Sequence, residues 1–334
     1  MIETINIDNL GPIKKINWEP SKNFNLVLGK NDTGKTLLLK ALYSANRSLE
    51  DHGKGDSKKS FKQTLDEKLF WTFQVGNIGV LVNKKGDKLR FESKIDGQHI
   101  FFHFSPSAKK GVGECNEVVN RRDNYSVFIP AKEVLSLAKV IRKSRNMDQE
   151  FGFDNTYLDL LNYLDKPTTK GGGKYVVKAR RELEKFIDGK IDRNTDGTWQ
   201  LKRGNTLFDI FTTAEGIKKI SIFDRLIGNK VLNNNTVIFI DEPEAHLHPQ
   251  AIIMFLNVLT LLAKQGMQIY MTTHSYFVIR KLYLIAQDEN WKLPTISLEN
   301  GNDVSYYDLK NGMPKNSIIQ TSIDLFQKEV ENEI

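Results

Sequence analysis

The stretch Gly29-Lys30-Asn31-Asp32-Thr33-Gly34-Lys35-Thr36 has the spacing G-x-x-x-x-G-K-T of a phosphate-binding loop. Its two glycines let the backbone wrap so closely that N–H groups face a polyphosphate, and a helix N-terminus behind them adds positive potential. Lys35 is then expected to reach the β- and γ-phosphates, and Thr36 to offer its hydroxyl to Mg²⁺. A second acidic feature, Asp241-Glu242, follows the apolar run Val237-Ile238-Phe239-Ile240. An aspartate there can hold the Mg²⁺ shell, and the adjoining glutamate can orient or deprotonate an attacking water. A third is His274, placed to donate a hydrogen bond to a γ-phosphate or to that water.

Particular elements must carry these residues. Phe24 to Leu28 reads as a short buried strand ahead of the loop, and Leu37 to Leu42 as a strong helix behind it. Thr236 to Ile240 reads as a central parallel strand. Pro249 opens a helix to Lys264, and Gln268 to Thr272 is the next strand. Ligands of such sheets sit beyond the carboxyl ends of the strands, which puts Gly29, Asp241 and His274 on one edge of an α/β fold. Residues 51–63 read as a loop. Strands are predicted at Leu69–Val75, Ile78–Val82, Leu89–Ser93 and His99–Phe104, with a hairpin turn at Asp96-Gly97, forming an antiparallel lobe. Tyr125 to Pro130 is a further strand, and 132–203 is predicted to be mainly helical.

The 334 residues carry 27% charged and 40% AVILMFWYC side chains, which excludes a disordered tail or a fibre. A single cysteine, Cys115, rules out an intrachain disulfide scaffold and a four-cysteine zinc site. The N-terminal residues lack a signal-peptide profile, and the most apolar window, 251–263, is too short for a bilayer. A cytoplasmic protein with no membrane partner is expected. The formal charge of +7, with 15 Lys and Arg against 10 Asp and Glu between Lys139 and Arg203, keeps a polyanionic partner in view. His246-Leu247-His248 lies in a connection rather than on a strand edge, so a structural role is expected there instead of a metal site. A GTPase is excluded because the nearest approach to N-K-x-D, Asn83-Lys84-Lys85-Gly86-Asp87, has the wrong spacing.

The phrases Asp241-Glu242-Pro243-Glu244-Ala245-His246-Leu247-His248-Pro249 and Thr272-Thr273-His274-Ser275, together with the phosphate loop, resemble those of ABC-type ATPase heads of the SMC and RecF group. The chain looks nearest to the small AAA family ATPases related to the overcoming-lysogenization-defect proteins. Ile129-Pro130-Ala131-Lys132-Glu133-Val134-Leu135-Ser136 resembles a further block of that group. The resemblance implies a P-loop NTPase with an antiparallel β lobe and a helical insertion. It also implies a single head over 1–334, divided into a β-rich lobe with the phosphate loop (1–130), the insertion (131–205) and a signature, Walker B and His-loop lobe (206–334).

It further implies ATP and Mg²⁺ as cofactors, with Gly29, Asn31, Asp32, Thr33, Gly34, Lys35 and Thr36 on the nucleotide. Thr36 and Asp241 would serve the metal, with Gln74 as a Q-loop ligand, and Glu242 and His274 would be catalytic. Thr213-Ala214-Glu215-Gly216 takes the place of the signature, with Thr213 and Gly216 closing on a nucleotide held by a second copy, and Ala245 to His248 that of the D-loop. Asp32 stands where ABC loops usually carry glycine, and aspartate tolerates the left-handed backbone. Thr213 and Glu215 depart from the usual Ser-Gly-Gly.

In such heads a head-to-tail dimer or higher oligomer closes on ATP and opens on hydrolysis. Related ATPases act in prokaryotic anti-phage defence or toxin–antitoxin systems. The 60 residues after His274 hold no D-x-D pair, so the resemblance implies that a separately encoded effector, such as a nuclease, does any cutting. The alternatives are a DNA-binding ATPase of the RecF-like repair type and an ATP-bound scaffold that sequesters a toxic partner.

Overall fold

The computed structural model describes residues 1–55, 58–169, 171–299 and 303–333. The first third contains β1 (Ile2–Leu10), β2 (Ile13–Trp18), β3 (Phe24–Gly29), α1 (Lys35–Asp51), α2 (Phe61–Phe73), β4 (Leu89–Ile95), β5 (Gln98–Phe104) and β6 (Glu114–Cys115). Next come β7 (Ser126–Ile129), α3 (Ala138–Arg142), α4 (Asn155–Leu164), α5 (Lys174–Ile187), β8 (Lys190–Arg193), β9 (Trp199–Arg203) and β10 (Thr206–Asp209). The last third holds α6 (Glu215–Gly228), β11 (Val237–Asp241), α7 (Pro249–Lys264), β12 (Gln268–Thr273), α8 (Tyr276–Asp288), β13 (Pro294–Leu298), β14 (Val304–Asp308) and α9 (Ser317–Glu333).

The central sheet has the order β14-β13-β3-β12-β11-β7, parallel except for the edge strand β14. Every residue of β3, β11 and β12 is buried, because both faces of these strands are covered. Their side chains alternate between two cores. Leu26, Leu28, Ile238, Ile240, Ile269 and Met271 pack beneath α4 to α8. Val27, Val237, Phe239 and Tyr270 face α1 and a second sheet. That second sheet is antiparallel, of order β2-β1-β4-β5-β6. Its hairpin at Asp96 and Gly97 has both residues at positive φ, as a tight turn between twisted strands requires. The antiparallel lobe is therefore present.

Two strands predicted in it are not. Leu69–Val75 is the end of α2, extended by Gln74 as its left-handed cap. Phe61, Leu65, Leu69 and Thr72 bury one helical face, and Ser60 and Gln63 close a reciprocal capping box at its start. Helical periodicity thus overrides the β preference of Phe70, Trp71 and Phe73. Ile78–Leu81 is a single tight helical turn, where Gly79 lies so close to the Pro106 carbonyl that a Cβ would meet it at 2.1 Å. The loop expected over 51–63 is shortened at both ends, by α1 and by α2. The stretch 132–203 carries α3, α4 and α5, and also the hairpin β8–β9, whose Trp199 and Leu201 fill the core under α5.

Between α1, α2 and α4 lies a buried ionic cluster. Asp159 accepts hydrogen bonds from Tyr43 Oη at 2.6 Å and Lys68 Nζ at 3.0 Å, and Arg47 Nε stands 3.7 Å away. Burial pushes the Asp159 carboxyl up, but Lys68 and Arg47 outweigh it and hold its pKa below the usual range. Asp159→Ala would leave Lys68 and Arg47 with only Asp51 and Glu50 as acidic partners. A loss of about 3 kcal/mol, the low end for breaking a buried pair, is expected, read as a lowered urea midpoint with an unchanged m-value.

Candidate functional site

The register of the parallel strands sets one edge. Leu298 is opposite Gly29, Leu28 opposite Thr273, and Thr272 opposite Asp241, so β13, β3, β12 and β11 all end at the same level. The loop 30–34 crosses this edge and enters α1. Gly29 has no room for a side chain, since a Cβ would stand 2.3 Å from the Leu298 carbonyl oxygen. Gly34 at φ 94° and Asp32 at φ 64° supply the left-handed bends, so the aspartate occupies a glycine-like position as its chemistry permits. No side chain caps α1, which leaves its first N–H groups facing the loop. Asn31 and Asp32 are exposed at the rim, while Thr33 is buried and donates to the Lys30 carbonyl at 2.9 Å.

Lys35 is buried, and its ammonium donates to the carbonyls of Gly29 at 2.8 Å and Lys30 at 2.6 Å. Burial pulls its pKa down, and Glu242, Asp241 and Glu244 oppose that pull. The ammonium is thus curled inside the loop that a polyphosphate would fill. Thr36 Oγ1 donates to both carboxylate oxygens of Asp241, at 2.9 and 3.0 Å, and Thr272 Oγ1 donates to Oδ1 at 2.6 Å. Glu242 follows at φ 49°, its N–H donating to Thr272 Oγ1 at 3.2 Å and its Oε1 lying 3.0 Å from His274 Nδ1. Lys35, Thr36, Asp241, Glu242 and His274 therefore line one rim. The cradle at Gly29, the uncapped helix and the Thr36–Asp241 pair fit a magnesium nucleotide.

The other expected residues sit apart from that rim. Gln74 is not on a strand. Its amide accepts from the Gly152 N–H and donates to the Phe153 carbonyl, both at 2.8 Å, rather than bonding to Thr36 or Asp241. The segment it holds runs on to Asp154, which pairs with Lys40, one helical turn beyond Thr36, at 2.6 Å. Thr213 donates to the Asp209 carbonyl. Gly216, at the start of α6, lies so close to His246 that a Cβ would meet its carbonyl oxygen at 2.9 Å. Among the described residues no hydrogen bond joins Thr213 or Gly216 to residues 29–36 of the same chain. His248 Nδ1 accepts from the Gln250 N–H and caps α7, the structural role expected of it. Among the described residues no three His, Cys, Asp or Glu side chains cluster as a metal site.

Several residues went unnoticed in the sequence. Tyr157, on α4, has its pKa pushed up to about 12 by burial, then by Asp154 and Asp241. Glu244, already visible in the 241–249 phrase, accepts from Thr273 Oγ1 at 2.5 Å. Lys219, on α6, donates to the Glu242 carbonyl at 2.7 Å. Its neighbour Lys218 reaches Ser136 at 2.7 Å and Glu215 at 2.9 Å, and so ties α6 to the 129–136 block. Only the position of Lys219 three residues after Gly216 could have pointed to it.

Sheet, loop and acidic strand end together define a P-loop α/β fold, which a solved SMC head shares. The model of a family described as AAA ATPase domain matches residues 205–279. A solved SMC head bound to the C-terminal winged-helix domain of ScpA superposes with a TM-score of 0.56 at 12% identity, covering 93% of this chain and 99% of that one. The SMC head domain from Thermotoga maritima gives 0.45 at 12% identity, covering 92% and 98%. RecF with ATP gives 0.46 at 13% identity, covering 92% and 99%. No curated protein matches. No helix among the described residues is long and apolar enough to cross a membrane.

Proposed function

We propose that this chain binds MgATP and hydrolyses it to ADP and phosphate, closing a head-to-tail dimer when ATP is held and opening it afterwards. The observation that carries this reading is the Glu242–His274 contact beside the Thr36–Asp241 pair on one rim. Bound Mg²⁺ would neutralise charge on the β- and γ-phosphates. Thr36 and Asp241 would hold that metal, Lys35 would turn from the loop carbonyls to the phosphates, and Glu242 would take the proton of an attacking water that His274 would help to orient. Thr213 and Gly216 of the second copy close the site, with the open N-terminus of α6 facing the γ-phosphate. The departures at Thr213 and Glu215 leave that helix terminus and its glycine in place. Dimer opening and closing then gates a separately encoded effector in prokaryotic anti-phage defence or a toxin–antitoxin system. The ScpA-bound SMC head supports a head of this fold carrying a protein partner. Light scattering of Glu242→Gln with saturating MgATP tests the switch. A dimer is expected, and a monomer overturns it.

DNA as a second ligand is favoured by one observation. Lys174, Lys178, Arg181 and Lys185 form an exposed row on the outer face of α5, and among the described residues none has an ion-pair partner. Were all four to meet phosphates of a duplex, log K would fall with log salt at a slope of about −3.6. Anisotropy of a labelled duplex across a salt series, with the four changed to alanine as comparison, reads this directly. Salt-independent or absent binding removes DNA from the account.

A further inference from the structure

Helix α6 begins at the residues expected to close over a second copy's nucleotide, and one turn later it touches the catalytic end of its own chain. Lys219 is 4% exposed, and its ammonium donates to the Glu242 carbonyl at 2.7 Å. That carbonyl also accepts the Ala245 N–H at 3.1 Å, so the lysine completes its hydrogen bonding. Pro243 follows and fixes the chain direction, while Glu242 itself is held at φ 49°, a conformation that residues other than glycine rarely adopt. Its carboxylate reaches His274 only because the backbone is turned that way.

We propose that Lys219 is a positioning residue that couples the signature helix to the catalytic glutamate of the same chain. It fixes the backbone on which Glu242 sits, so the rate of hydrolysis depends on it and nucleotide affinity does not. The proposal rests on the reading of Glu242 as the general base.

The surroundings support a specific strut rather than a general anchor. The neighbouring Lys218 points the other way, to Ser136 and Glu215, with Glu133 at 3.9 Å. Of these two neighbouring lysines, Lys219 is the one that faces the acidic edge formed by Asp241, Glu242 and Glu244. Burial pulls its pKa down to about 8, and those three carboxylates oppose the shift, Glu244 most. Glu244 Oε2 is buried without a hydrogen-bond partner among the described residues, and its charge acts on both Lys219 and Lys35. At the other end of the same helical turn, Gly216 is pressed against the His246 carbonyl. A displacement of α6 when its N-terminus meets a phosphate is therefore transmitted to both sides of the 242–246 turn. Among the described residues no hydrogen bond runs from Lys219 to the loop 29–36; its one hydrogen bond is to the Glu242 carbonyl.

The test compares K219M, K219R and K218M by steady-state ATP hydrolysis, binding of a fluorescent MgATP analogue and thermal unfolding. For K219M, kcat is expected to fall about 100-fold, the scale of an ångström-level misplacement, with the analogue's Kd within about threefold of the parent. K219R, which keeps the charge and donor, is expected to recover kcat to within about fivefold, and K218M to remain within about threefold. A K219M rate within about threefold of the parent overturns the proposal. So does a Kd that rises as far as kcat falls, or a K218M loss equal to that of K219M. Should K219M not fold, K219Q, a shorter neutral donor, is read against K219R by the same criteria. Glu242→Gln is measured alongside. If it hydrolyses ATP at the parent rate, the ATPase reading fails, whatever Lys219 does.

Discussion

Glu242→Gln is expected to lower kcat by about 10²–10⁴ while MgATP stays bound, the range of removing a positioned general base. The substitution changes only the ability to take a proton. Glutamine has the same length and shape, and its amide can still face His274 Nδ1, which lies 3.0 Å from Oε1 in the parent. Thr272 still receives the residue-242 N–H, and Lys219 still meets its carbonyl. Asp241, the carboxylate bonded to Thr36, is untouched, so metal and nucleotide binding survive. The nucleotide then remains intact between two copies, and the dimer accumulates. Single-turnover hydrolysis and light scattering measure the two halves separately. A parent protein that binds ATP tightly yet turns over at background would instead be the scaffold alternative, and Glu242→Gln would then change nothing.

The central sheet and its loaded edge were legible because their signals are local. β3, β11 and β12 are mostly apolar runs, as strands covered on both faces tend to be, and each ends at or one residue before the residue that carries the chemistry. The phosphate loop announces itself within eight residues. Legibility failed where a fold-level choice decided the outcome. Phe70, Trp71 and Phe73 favour a strand in isolation, but Leu65 and Leu69 bury against α1 only as a helix. Gln74 read as a core-strand residue for the same reason, and its amide went to 152–153, a segment about eighty residues away in the chain. Lys219 carried no local sign, because one lysine in an amphipathic helix reads as solvated until the 242–246 turn folds over it. Tyr157 and Asp154 were equally silent. Their proximity to Asp241 and Lys40 depends on how α4 crosses α1, which no spacing encodes.

Lys35→Ala is expected to abolish nucleotide binding rather than slow its use. The ammonium lies in the fold of the loop, bonded to the carbonyls of Gly29 and Lys30. With Lys219 it is one of two cations that offset Asp241, Glu242 and Glu244, the three carboxylates that act against the burial shift on its own pKa. Without it, a polyphosphate approaches an edge of less compensated negative charge and loses its charge-assisted hydrogen bonds. Two such bonds at about 1.5–3 kcal/mol each give a loss of about 3–6 kcal/mol, or at least about 100-fold in Kd. The loop itself survives, because the Lys30 carbonyl keeps the Thr33 hydroxyl and the left-handed Asp32 and Gly34 are unchanged. Calorimetric titration with MgATP, together with an unchanged far-ultraviolet spectrum, separates lost affinity from lost fold. A Kd within about tenfold of the parent would mean that the loop does not take the phosphates through Lys35. In that case Glu242→Gln could not trap a dimer through this site either, so the two variants check each other from opposite sides, one losing rate with the ligand retained and the other losing the ligand.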